Sequence, residues 1–161
     1  MKLAQSPLPI VVRTARPEDL ETLARFNEAM ALETESIRLD PATIRAGVRA
    51  VLESADLGAY FVAERGGEPA GALLVTYEWS DWRNARFLWI QSVYTKPEHR
   101  RAGVFSALYR HVEALGRSPG HCGVRLYVEE HNGAAQETYK RLGMAGGRYQ
   151  VLETPDRLTG G

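Results

Sequence analysis

The stretch from Arg86 to Val112 limits what this 161-residue chain can fold into more than any other. RFLWIQSVYT, Arg86 to Thr95, is β-branched and aromatic and apolar on both faces, as a central, buried strand would be. It runs into a basic loop, Lys96-Pro97-Glu98-His99-Arg100-Arg101-Ala102-Gly103. Beyond it Val104, Phe105, Leu108, Tyr109, Val112 and Leu115 fall at helical spacing, which predicts a helix from about Gly103 to Leu115. A loop entering a helix N-terminus exposes unpaired backbone N–H groups at the positive end of the helix dipole. That is an anion site, and phosphate is its usual guest. Gly103 permits close approach of a ligand to the backbone, and Arg100 and Arg101 add charge. Neither GxxxxGK[ST] nor GxGxxG occurs, so a P-loop nucleotide hydrolase is not supported. Read alone, the same loop is also an ordinary one with solvated arginines.

The remaining elements follow from periodicity and caps. Strands are predicted at Ile10–Thr14, Tyr60–Glu64, Ala70–Trp79, Val124–Glu129 and Arg148–Glu153. Helices are predicted at about Pro17–Leu32, from Asp40-Pro41 through the stripe Ile44, Val48, Val51 and Leu52, and at Gly133–Leu142 behind an Asn132 cap. The order β-α-α-β-β-β-α-β-α-β argues an α+β chain with one mixed, mostly antiparallel sheet and helices on both faces. Residues 1–9 and 155–161 read as disordered tails around a single domain, 10–154.

Composition narrows the function classes. Twenty Lys plus Arg balance twenty Asp plus Glu, so a general electrostatic grip on nucleic acid is disfavoured. One cysteine, Cys122, excludes an internal disulfide and a cysteine-rich zinc site, and the four histidines show no metal spacing. No apolar run approaches the ~18–20 residues of a membrane span, and MKLAQSPLPIVVR lacks the core of a secretory signal. A cytoplasmic protein without membrane, nucleic-acid or metal partners is expected.

The second informative piece is LYVEEHNGAAQETYKRLGM, Leu126 to Met144. Asn132 and Tyr139 are two helical turns apart and near one face. Tyr139 reads as a core tyrosine or as a general acid. Taken together, Val93-Tyr94-Thr95-x-Pro97, Arg100-Arg101-Ala102-Gly103 and Asn132-x6-Tyr139-x2-Leu142-Gly143-Met144 resemble the GCN5-related N-acetyltransferase (GNAT) family. The element order extends that resemblance from Ile10 to about Glu153.

The resemblance implies a sheet whose fourth and fifth strands splay apart, with acetyl-CoA as co-substrate in the V between them. The pantetheine amides would pair with Val93, Tyr94 and Thr95. The pyrophosphate would meet Arg100, Arg101, Ala102, Gly103, Val104, Phe105 and Ser106, with Asn132 and Tyr139 completing the cofactor site. One departure is Phe105, where the family pattern has Gly or Ala. It is compatible if the ring turns away from the ligand toward Tyr109 and Val112. The short C-terminus is the other departure, and it leaves the sheet's last edge incomplete or completed by a partner chain.

The implied reaction is direct attack of a primary amine, of a small molecule or peptide, on the thioester, with Tyr139 protonating the departing thiolate. For the base, Glu78 leads, with Asp81, Glu33 and Glu35 behind it and Tyr94 as an oriented hydroxyl. Each of these acids also reads as a solvated surface residue. Glu33, Trp79, Asp81 and Trp82 are candidate acceptor contacts, since two tryptophans beside acids suit a cationic amine. Core packing is the plainer account of the tryptophans. The resemblance also implies a homodimer. Two other readings stand beside the enzyme, a non-catalytic acyl-CoA-binding regulatory module and a partner-binding protein using the Trp79–Trp82 turn.

Overall fold

The computed structural model describes residues 8–128 and 131–154. Its elements are β1 (Ile10–Thr14), α1 (Leu20–Glu35), α2 (Pro41–Glu53), β2 (Ala59–Arg65), β3 (Glu68–Ser80), β4 (Ala85–Thr95), α3 (Val104–Gly116), β5 (His121–Leu126) and α4 (Gly133–Arg141). Single 3-10 turns at Pro17–Asp19 and Pro97–His99 precede α1 and α3. Two units emerge, one ending at Tyr127 and one beginning at Val128, and the domain read from sequence spans both.

In the first unit the five strands lie in the order β1-β2-β3-β4-β5. The first three neighbouring pairs are antiparallel and β4–β5 is parallel. The α3 crossover that a parallel pair demands is the amphipathic helix read from sequence. One face of the sheet packs Tyr60, Val62 and Ala72 against Leu23, Phe26 and Val48 of α1 and α2. α3 covers the other face, where Phe61 meets His111, ring centroids 4.7 Å apart. Leu23, Leu73, Leu88 and Leu108 are fully buried and anchor the two layers.

Local signals explain most element ends. Asp40 caps α2, accepting the Thr43 backbone N–H at 2.8 Å, with Pro41 in the first turn. Asp19, a buried acid, holds the entry to α1. It accepts from Arg13 at 2.7 and 2.9 Å and from the Arg16 N–H at 2.7 Å. Arg13 also reaches Glu64 on β2 at 2.6 Å. These bonds lower the Asp19 carboxyl below its ordinary value, the Arg13 bond most, and they raise the Arg13 guanidinium.

Two expectations need correction. β5 begins at His121 rather than Val124 and ends at Leu126, while Glu129 lies outside the described residues. Its early start follows from Gly120, whose carbonyl takes the Arg86 N–H at 3.0 Å, and from Gly123, set opposite Phe87. A Cβ at Gly123 would sit 3.3 Å from the Phe87 ring, so glycine fits where the β-pattern is hard to see. The predicted strand at Arg148–Glu153 does not form. It is exposed coil, with Tyr149 88% and Leu152 90% accessible. A β-type sequence becomes a strand only through a ladder partner, and this segment has none among the described residues.

Candidate active site

β4 is paired along its whole length on one side only. Its ladder with β3 runs from Ala85 to Thr95, whereas its ladder with β5 stops at Ile90↔Leu126. The break coincides with a bulge. Leu74 faces Ser92 and Val75 faces Ile90, so Gln91 is the extra residue. Beyond it, among the described residues, no strand pairs with Gln91–Thr95 on the β5 side. Alternate backbone groups of Val93, Tyr94 and Thr95 thus face an open edge, which an extended amide chain can pair with.

The edge leads into the basic loop. Arg101 takes a left-handed conformation, φ +61°, and Gly103 another, φ +88°, as the N-cap of α3. Left-handed residues in such a loop turn the chain so that its backbone N–H groups can face one concavity. Among the described residues no side chain caps α3, so its first turn presents its N–H groups at the positive end of the helix dipole. Ala102, Val104 and Ser106 belong to this same loop and first turn. The Phe105 ring lies along the helix, stacked on Tyr109 with centroids 6.5 Å apart, the direction a ligand on the loop requires.

Arg100 does not extend freely into solvent. Its Nη2 donates to Glu33 at 2.5 Å and its Nε to the Thr95 carbonyl at 3.1 Å, with its guanidinium 5.9 Å from the Tyr94 ring centre. The Tyr94 hydroxyl donates to the other Glu33 oxygen at 3.3 Å. Burial, then the Glu33 charge, pushes the Tyr94 phenol up, so it stays a donor at neutral pH. His99 Nδ1 accepts from Arg65 at 3.3 Å, turning that ring toward β2. Glu35 is exposed at the end of α1.

The acceptor-side residues expected from sequence do not converge. Glu78 and Trp79 are neighbours on β3 and face opposite sides of the sheet. Glu78 accepts from the Trp89 indole N–H and from Arg125 Nη1, the latter at 2.7 Å. Trp79 lies opposite Arg86 on the other face, where Arg86 covers Tyr77 at 5.1 Å. Asp81 serves the hairpin turn, accepting the Trp82 N–H at 2.9 Å, and Trp82 is 90% exposed. Glu33 is far from all of these. It bonds Tyr94, opposite Ala72, and Glu78 lies six positions along β3 from Ala72, roughly 20 Å.

What the sequence missed is a cluster on the α1 side of the sheet, past the point α1 covers. Arg125 stacks on Phe87, its guanidinium carbon 3.7 Å from the ring centre, and Trp89 packs on Tyr127 at 4.5 Å. Trp89, expected in the core, is half-buried. Alternation along FLWIQ does put Phe87, Trp89 and Gln91 on one face, but only the register brings Glu78 and Arg125 across to them. In the second unit Asn132 caps α4, accepting the Ala135 N–H at 3.0 Å, and Tyr139 is half-buried on that helix. Among the described residues no group of three or more His, Cys, Asp or Glu is arranged to hold a metal, and no helix is long and apolar enough to cross a membrane.

Comparison with known proteins agrees with this geometry. The sequence model of the acetyltransferase (GNAT) family matches residues 21–144. A thialysine N-epsilon-acetyltransferase of Bos taurus is 33% identical over 82 residues, and the protein of that name from Sus scrofa matches to the same extent. The match takes in 48% of this chain and 48% of the bovine protein, so the chain spans about half the length of these curated relatives. The crystal structure of a possible acetyltransferase from Clostridium difficile 630 is 40% identical, with a TM-score of 0.86 over 91% of this chain and 97% of that one. An aminoglycoside N-acetyltransferase solved with CoA shares the fold, with a TM-score of 0.76 at 16% identity over 96% of this chain and 99% of its own. With the family's sequence signature lying over the splayed strands and the phosphate-type loop, the chain belongs to the acetyltransferase (GNAT) family.

Proposed function

We propose that the protein is an acetyl-CoA-dependent N-acetyltransferase acting on a primary amine. The observation that carries this is the open edge of β4 running directly into the uncapped N-terminus of α3. An extended chain of amides ending in a pyrophosphate needs those two surfaces in that order. Val93, Tyr94 and Thr95 would pair with the pantetheine. The loop from Arg100 to Ser106 would hold the pyrophosphate, and the family resemblance assigns Asn132 and Tyr139 to the same cofactor.

Acetyl-CoA supplies the activated acetyl group. The neutral amine attacks the thioester carbon, the carbon–sulfur bond breaks, Tyr139 gives its proton to the leaving thiolate, and the proton shed by the new amide nitrogen passes to solvent, from which the phenol is restored. Acid help of this kind is worth roughly 10²–10⁴ in rate. The attacking ammonium must first lose a proton, which leaves through solvent on the open face of the sheet. Glu78, held by Trp89 and Arg125, is read here as an acceptor contact in place of the base. The names of the curated relatives point to the terminal amine of a lysine-like amino acid as the acceptor class. A cytoplasmic location and a homodimer belong to the same reading.

A thermal-shift titration with acetyl-CoA, CoA and ATP on the wild type and on Gly103→Glu tests it. A ligand that binds only the native state raises the melting temperature once it exceeds its Kd. Stabilisation by acetyl-CoA and CoA that Gly103→Glu abolishes is expected. No shift at millimolar acetyl-CoA overturns the reading. Tyr139→Phe should slow acetyl transfer far more than it reduces that shift, whereas a non-catalytic acyl-CoA-binding module would show binding and no turnover in either protein.

A further inference from the structure

We infer that Arg125, Glu78 and Trp89 form a recognition site for the amino-acid end of the acceptor, so that the preferred substrate is an amino acid with a terminal side-chain amine rather than a simple diamine. The inference deepens the acetyltransferase reading and rests on it, since that reading puts the reacting carbonyl where β4 and β5 separate.

Arg125 and Glu78 meet across β4 from β5 and β3, and both stay accessible, with side chains 34% and 42% exposed. Among the described residues Arg125 donates one hydrogen bond, to Glu78, and a guanidinium carries five donors. Its remaining edge is set for a carboxylate, held flat by the Phe87 ring beneath it. Glu78, fixed by the Trp89 indole and by Arg125, keeps lone pairs for an ammonium. Trp89 and the 58% exposed Tyr127 add aromatic faces that also attract a cation. An α-carboxylate and α-ammonium side by side match that arrangement charge for charge.

The spacing then selects the reacting amine. Trp89 and Arg125 form the rung before the last one, Ile90↔Leu126. Two residues on, about 7 Å along β4, lies Gln91 at the opening. A side chain of four methylenes ending in an amine spans about 6 Å from its Cα. A bare ion pair at this exposure adds little to stability, so fold maintenance is a weak account of an arginine stacked and aimed in this way.

The experiment compares L-lysine, 6-aminohexanoate and 1,5-diaminopentane as acceptors, with acetyl-CoA binding followed separately by thermal shift. The wild type should favour lysine over the diamine at least tenfold in kcat/KM, with 6-aminohexanoate between them. Arg125→Gln should raise KM for lysine and 6-aminohexanoate about tenfold, alter the diamine far less, and leave the acetyl-CoA shift intact. Arg125→Lys should restore part of the loss, and Glu78→Gln should affect lysine but not 6-aminohexanoate. Acetyl-CoA binding and turnover with no preference for the carboxylate, or an equal loss on all three amines in Arg125→Gln and Arg125→Lys, overturns this inference alone. Absence of acetyl-CoA binding overturns the acetyltransferase reading and this inference with it.

Discussion

Glu33, near the end of α1, grips Arg100 on the loop before α3 at 2.5 Å, joining two segments 67 residues apart in sequence. Both side chains are nearly half exposed, so the pair is worth under about 1 kcal/mol and is easily exchanged. A phosphate arriving at the loop offers Arg100 a partner of higher charge. Glu33→Gln should therefore change stability by less than about 1 kcal/mol and leave CoA binding unchanged or tighter. Arg100→Ala should weaken CoA roughly tenfold, the loss of one charged hydrogen bond. Isothermal titration at two salt concentrations checks both, since the arginine's share should shrink as salt rises.

Gly103 tests the loop's backbone without touching its charge. Among the described residues a Cβ there would meet only Ile10 Cδ1, at 3.7 Å, so space is not the obstacle. The obstacle is φ +88°, where an L-residue is disfavoured by about 1–2 kcal/mol. Gly103→Ala should lower stability by about that much and weaken CoA binding, as the loop relaxes away from the conformation that aims its N–H groups. Chemical denaturation and a CoA titration on the same preparation separate the two effects.

What the sequence could show here was local, and what it could not was pairing. Asp40-Pro41 and Asn132 announced helix starts because a cap acts over three residues. The basic loop was legible for the same reason, as charge and glycine sit next to the helix they serve. The bulge at Gln91 left no mark, because it is a relation between two strands. So is the Glu78–Arg125 pair, whose members are 47 residues apart. Grouping Glu78 with Trp79 and Trp82 treated sequence neighbours as spatial ones, and a strand sends successive side chains to opposite faces.

That opposition makes a prediction about the tryptophans. Trp79 shares no face with Glu78, and Trp89 holds it directly. Trp79→Ala should leave acceptor KM unaltered. Trp89→Phe keeps an aromatic ring and removes the indole donor, so it should raise acceptor KM several-fold with acetyl-CoA binding intact. Steady-state kinetics with saturating acetyl-CoA distinguishes them, and equal effects of the two variants would contradict the face assignment.

Asp19 sets the acid limit of the fold. Its carboxyl is lowered in the native state by Arg13 first and by the Arg16 N–H, against the opposing cost of burial. A group whose folded value is depressed contributes stability fully above its unfolded value and loses it as pH falls through the folded one. The unfolded value is near 3.8, so this contribution is intact at neutral pH and drains away below about pH 4. Asp19→Asn cannot accept the two Arg13 bonds as a charged partner and should lose about 2 kcal/mol at pH 7. Below pH 4 the variant and the wild type should converge, because the native carboxyl is then being protonated. Denaturation curves from pH 7 down to pH 2.5 measure the gap directly. A gap that stays constant across that range would mean that the Arg13–Asp19 bonds do not depend on the carboxylate charge.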